Sequence, residues 1–130
     1  MTRSTEPAPS RSAAVAPWLG PLVFASILIL DLATKEWALA TIARVGRTEV
    51  TSFFNLVLVW NRGISFGMLQ TDGEFGRWLL IALALAICVI LVFWLRKEHR
   101  LPPTVAIWLI LAGAIGNVID RVRHGTVVDF

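Results

Sequence analysis

Asn117, Asp120 and Arg121 close an otherwise uncharged run of the chain, and Asp129 follows nine residues after Asp120. Spacings of three and four put Asn117, Asp120 and Arg121 on one helix face. Carboxylates at the end of so apolar a segment are costly unless they have a partner or a task. Two of them in one neighbourhood can do acid–base chemistry, one accepting a proton while the other donates one. In that reading Arg121 neutralises a carboxylate and Asn117 donates a hydrogen bond. Upstream, Asp31 and Lys35 are four apart and can pair on a helix face. Each set also has a plain structural reading. Asp31 and Lys35 can be an ion pair, Asn117, Asp120 and Arg121 a cluster that fixes helix register, and Asp129 an ordinary loop aspartate.

Other catalytic equipment is missing from the sequence. The single Cys88 lies inside an apolar run, so there is no disulfide framework and a buried thiol is expected. No Cys, His or carboxylate cluster has metal-ligand spacing, no glycine loop could cradle a phosphate, and no Ser occupies a nucleophile-like turn. No cofactor is expected. His99 and His124 fall at opposite ends of one apolar segment and cannot act together.

The elements that position these groups belong to a membrane protein. Hydrophobic residues make up 56% of the chain and charged ones 16%, against about 25% charged in a soluble domain. Mean hydropathy is +0.70. Twelve basic residues against nine acidic ones form no stripe along a phosphate backbone, which argues against nucleic acid as a partner. Three membrane segments are expected, at about 18–39, 78–95 and 102–121. Trp18 and Trp37 bracket the first, and Trp78 and Trp94 the second, as interfaces favour. Pro102-Pro103 suits a helix start. Gly113 and Gly116 permit close helix packing, and Gly125 is placed to end the last helix. Ala38-Leu39-Ala40 has the form of a signal-peptidase cleavage site, but Asp31, Lys35 and Glu36 interrupt the apolar run before it.

Residues 1–17, rich in Ser, Thr, Pro and Ala, read as a disordered tail, and 18–130 as the membrane domain. The short basic link Arg96–Arg100 places that loop and the N-terminus in the cytoplasm, with 40–77 and the end of the last helix outside. Within 40–77, Val50 to Trp60 is dense in β-branched and aromatic residues and reads as one or two short strands. Asn61-Arg62-Gly63 follows as a turn.

With these residues in place the chain resembles the lipoprotein signal peptidases (signal peptidase II), intramembrane aspartic peptidases of bacteria. Asp31-Leu-Ala-Thr34-Lys35 resembles the family's D-x-x-T-K element. Asn61-Arg-Gly63-Ile-Ser65-Phe66-Gly67 resembles its N-x-G-x-[AS]-F-G. Gly113-Ala-Ile-Gly116-Asn117-Val-Ile-Asp120-Arg121 resembles G-A-x-G-N-x-x-D-R, and Gly125-Thr-Val-Val-Asp129-Phe130 resembles G-x-V-V-D-F. The four run in order over most of residues 31–130.

The resemblance implies an α-helical protein of the bacterial cytoplasmic (inner) membrane. It would have four transmembrane helices and a small extracytoplasmic β-cradle between the first two. Its substrate would be a lipid-modified prolipoprotein, cut before the diacylglyceryl cysteine, with membrane lipids as surroundings. Oligomeric state is open, a monomer being the expectation. Asp129 matches a catalytic aspartate. Asp120, Arg121, Asn117, Asn61, Gly63, Asp31 and Lys35 match residues that line or brace the site. The family's second catalytic aspartate, in an F-N-x-A-D-like motif opening a fourth helix, has no counterpart in these 130 residues. The sequence is therefore read as truncated, and this polypeptide alone as inactive.

Two non-enzymatic readings compete. A small transporter or assembly subunit would use Asp31/Lys35 and Asp120/Arg121 as ion pairs on a polar path, but such paths sit near the bilayer midplane rather than at helix ends. A lipid-binding scaffold would need no carboxylate at all.

Overall fold

The computed structural model describes residues 15–45, 48–52, 54–62 and 73–130. Residues 1–14, which carry most of the expected tail, and Gly63 with Ser65, Phe66 and Gly67 lie outside the described residues. In chain order the elements are α1 (Leu19–Val45), β1 (Thr48–Thr51), β2 (Phe54–Leu56), β3 (Val59–Asn61), α2 (Glu74–Leu95), α3 (Leu101–His124) and β4 (Val127–Asp129).

The helix α3 packs against both α1 and α2. Cys88 of α2 meets Ile107 and Leu111 of α3 in the core, with Phe24 of α1 packed on that cluster. Phe24 stands edge-on to Trp108, ring centroids 6.0 Å apart. Gly20 lets the Trp108 indole lie where any Cβ would collide with it. The thiol of Cys88 is thus a packing group, as expected.

The outer face of α2 carries exposed Leu79, Leu83, Ile87, Ile90 and Phe93. Only 17% of its most apolar window is buried within the protein. A core helix of a soluble domain would be covered; an apolar helix left bare needs lipid around it. Exposed Trp78 and Trp94 mark its two ends.

Two helices, α2 and α3, are long and apolar enough to cross a membrane, where three such segments were expected. In α1, Asp31, Lys35 and Glu36 fall within one turn and a half and lower its apolar content. The helix ends also differ from expectation. Ala38 and Ile42 are fully buried, which carries α1 on to Val45 and places the Ala38–Ala40 tripeptide inside a helix. At the start of α2, Gly73 adopts φ 105°, so the helix begins at Glu74 rather than Trp78. Pro102 and Pro103 occupy the first turn of α3, where their missing N–H groups have no partner to lose. Gly125 ends α3 in the left-handed conformation, φ 79°, with its N–H bonded to the Arg121 carbonyl. In the α2–α3 link, backbone N–H donation from Arg100, with its guanidinium and the His99 N–H, holds the Glu98 carboxyl below the usual carboxylate range.

The β structure is divided differently from the expected sheet between the first two helices. One two-stranded sheet is the antiparallel pair β1–β2, with an irregularity between Glu49 and Thr51. The other pairs β3 antiparallel with β4, joining the segment before α2 to the segment after α3. Its register sets Val59 opposite Asp129, Trp60 opposite Val128 and Asn61 opposite Val127.

Candidate active site

Lys35 is the centre of the polar cluster. Its Nζ lies 2.9 Å from Asp31 Oδ2 and 2.8 Å from Asp120 Oδ2, and it also donates to Asn117 Oδ1 at 3.4 Å. The Asp31–Lys35 pair follows from helical spacing alone. The contact with Asp120 crosses from α1 to α3. Gly116 makes that crossing possible, because a Cβ there would overlap the Asp31 carboxylate. At Gly113 a Cβ would meet nothing within 4 Å, so of the two glycines expected to allow close packing only Gly116 does so among the described residues.

The buried environment explains the arrangement. Lys35 and Asp120 side chains retain 8% and 2% of their exposure. An unpaired charge there would be strongly unfavourable, whereas two carboxylates around one ammonium satisfy it. Asp120 Oδ2 also accepts the backbone N–H of Val128 at 3.2 Å. That bond ties the end of α3 to β4 across the Gly125 turn, and Val127 and Val128 are themselves buried. A surface pair between Arg123 and Glu36, 2.8 Å, reinforces the α1–α3 contact.

Asp129 has a different setting. Asp129 ends β4 and is exposed, beyond buried Val127 and Val128. Its Oδ2 accepts a hydrogen bond from Asn61 Nδ2 at 3.1 Å. The β3–β4 ladder delivers both residues to the same end of the protein. Beside them, Trp60 packs edge-on to His124, ring centroids 6.1 Å apart.

The structure gathers Asp31, Lys35, Asn117 and Asp120 into one knot and places Asn61 on Asp129 beside it. Gly63 lies outside the described residues. Asn117 differs from expectation: its side-chain oxygen accepts from Lys35, and its backbone carbonyl accepts from Arg121 Nη1 at 3.5 Å. Lys35 of α1 pairs with Asp120 at 2.8 Å, and Arg121 stands within electrostatic reach of both Asp120 and Asp129. Sequence reading did not find the Val128 N–H contact or the Glu36–Arg123 pair. The first needs the β3–β4 pairing and the second the α1–α3 contact, and neither leaves a local signal. His99 and His124 stand at opposite ends of α3, whose 24 residues span roughly 36 Å at 1.5 Å per residue.

Bare apolar helices with a cluster of titratable groups gathered at one end have the architecture of a membrane protein with a polar site at one helix end. The family model for signal peptidase (SPase) II matches residues 23–130. Lipoprotein signal peptidase of Rhodopseudomonas palustris is 45% identical over 114 residues, covering 86% of this chain and 70% of that protein. The enzyme of the same name from Pseudoalteromonas atlantica is 41% identical over 117 residues, covering 87% and 68%. A solved bacterial membrane enzyme, determined by the in meso method, superposes with a TM-score of 0.77 at 32% identity, covering 90% of this chain and 71% of its own. The chain belongs to the signal peptidase II family. It is a bacterial membrane hydrolase of lipoprotein maturation.

Proposed function

We propose that the protein is an aspartic endopeptidase of the bacterial cytoplasmic membrane. It removes signal peptides from diacylglyceryl-modified prolipoproteins by cutting before the lipidated cysteine. Asp129 is one of its two catalytic carboxylates, and Asp120 is a positioning residue. The observation that carries this division is the contrast in partners: Asp120 is held by Lys35 and the Val128 N–H, while exposed Asp129 has Asn61 on one oxygen.

In this mechanism Asp129 takes a proton from water as the water attacks the scissile carbonyl carbon. The partner carboxylic acid protonates the carbonyl oxygen; as the C–N bond breaks, the proton held by Asp129 passes to the departing amine and one diol proton returns to the partner carboxylate. No covalent intermediate forms. The two carboxyl groups divide the work, one acting as base and the other as acid. Asn61, by holding Oδ2, leaves Oδ1 of Asp129 for the water. The partner carboxylate comes from the portion of the family's length that residues 1–130 do not cover; the chain spans 68–71% of the relatives named above.

The basic Arg96–Arg100 link favours a cytoplasmic α2–α3 loop and N-terminus. The catalytic end, at the far end of α3, then faces the extracytoplasmic side. In this topology α1 crosses the membrane too, and Lys35, shared between Asp31 and Asp120, lowers the penalty of placing them there.

The test is cleavage of a lipid-modified prolipoprotein in detergent, with the new N-terminus identified by mass spectrometry. The full reading frame should release a product beginning at the lipidated cysteine, and residues 1–130 alone should not. Robust cleavage by residues 1–130 contradicts the two-carboxylate assignment. Cleavage elsewhere contradicts the substrate.

A further inference from the structure

The β3–β4 ladder that carries Asp129 is three residue pairs long. A two-stranded ribbon so short is marginal by itself, so its orientation depends on what it is fastened to. β4 is fastened twice. It continues from α3 through the Gly125 turn, and its Val128 N–H donates to buried Asp120 at 3.2 Å. β3 comes from a distant part of the chain, ahead of α2, and has no such continuity with α3.

Trp60 of β3 makes a direct link to that helix. It stands opposite Val128 in the ladder, and directly opposed residues share a face of the ribbon. Its indole meets the His124 imidazole with ring centroids 6.1 Å apart and planes at 63°. That lies within the range of about 4.5–7 Å at which edge-to-face aromatic pairs attract. His124 is the last residue of α3, so the contact joins β3 to the helix end from which β4 departs. Trp60 is 47% exposed and His124 is exposed as well. Burial is therefore not what the pair chiefly contributes. The next residue after Trp60 is Asn61, whose Nδ2 donates to Asp129 Oδ2 at 3.1 Å. A turn of β3 relative to α3 would carry Asn61 away from that oxygen.

We infer that Trp60 and His124 are positioning residues for the reaction: their contact fixes β3 against α3 so that Asn61 keeps Asp129 in its working orientation. Both act through Asn61. The inference rests on the peptidase reading of Asp129, and it adds two residues that lie outside the four motifs shared with the family.

The experiment measures kcat and KM for prolipoprotein cleavage by the full-length enzyme, with thermal unfolding on the same preparations. Trp60→Ala and His124→Ala should each lower kcat roughly two- to tenfold, the fold-change equivalent to one aromatic pair, with KM and unfolding temperature nearly unchanged. Trp60→Phe, which keeps a ring, should recover most of the loss. The double variant should be no slower than either single one, and in an Asn61→Ala background Trp60→Ala should cost nothing further. Should Trp60→Ala unfold, His124→Ala, which leaves the strand intact, decides. An unchanged kcat in the folded variants overturns the inference. So does a raised KM at constant kcat, which would make Trp60 a substrate contact, or an undiminished loss in the Asn61→Ala background. Asp129→Asn in the same assay separates the two levels. Turnover retained there refutes the peptidase reading and this inference with it, whereas turnover abolished there and unchanged in Trp60→Ala refutes the inference alone.

Discussion

Asp120 and Asp129 are nine residues apart, yet they occupy opposite kinds of environment. Asp120 is on a helix, 2% exposed, and accepts from a lysine and a backbone amide. Asp129 is on a strand at the surface, and its Oδ2 accepts from Asn61. The Asp120 carboxylate is buried and joins α1, α3 and β4 through Lys35 and the Val128 N–H. Asp129, exposed at the end of β4, is open to water. The difference supports the proposed division of labour, in which the first holds the frame and the second works.

The comparison can be broken most severely at Lys35. Lys35→Met should leave Asp31 and Asp120 without their shared cation and destabilise the fold by about 3–5 kcal/mol, the range for breaking a buried pair. Thermal unfolding in detergent measures this. A loss below about 1 kcal/mol would mean the knot is not a structural centre. Gly116→Ala probes the same frame through space alone. Its methyl group would displace the Asp31 carboxylate, at a cost of about 1–3 kcal/mol for forced overpacking, again read from unfolding. Gly113→Ala should be far milder, because among the described residues nothing comes within 4 Å of a Cβ there. Asn61→Ala sharpens the other side of the comparison. It should leave stability nearly intact and lower turnover roughly two- to tenfold, the equivalent of one hydrogen bond of about 0.5–1.5 kcal/mol, in the prolipoprotein assay. A stability loss as large as that of Lys35→Met would show that Asn61 braces the fold rather than the reactive carboxylate.

Local features of this molecule were legible in its sequence because their physics is local. The Asp31–Lys35 pair follows from spacing, the Gly125 turn from the residue that tolerates positive φ, and the strands around Val50 to Trp60 from β-branched and aromatic density. The features that separate Asp120 from Asp129 are long-range. Lys35 and Asn117 meet across 82 positions, and Asn61 and Asp129 across 68. Neither meeting can be read from periodicity, since it depends on which helix faces pack and which strands pair. The family resemblance marked the same residues for a site, but not that Lys35 pairs with Asp120 or that Val128 donates to it. Gly113 and Gly116 look equivalent in sequence, and only the position of the Asp31 carboxylate distinguishes them.

The central claim is that Asp129 does the chemistry and Asp120 supports it. The direct measurement compares Asp129→Asn and Asp120→Asn in the full-length enzyme, recording prolipoprotein turnover and thermal unfolding on the same preparations. The account predicts that Asp129→Asn abolishes turnover with its unfolding temperature unchanged, while Asp120→Asn lowers the unfolding temperature and keeps measurable turnover where it remains folded. Turnover retained by Asp129→Asn and lost in a fully folded Asp120→Asn would reverse the two roles.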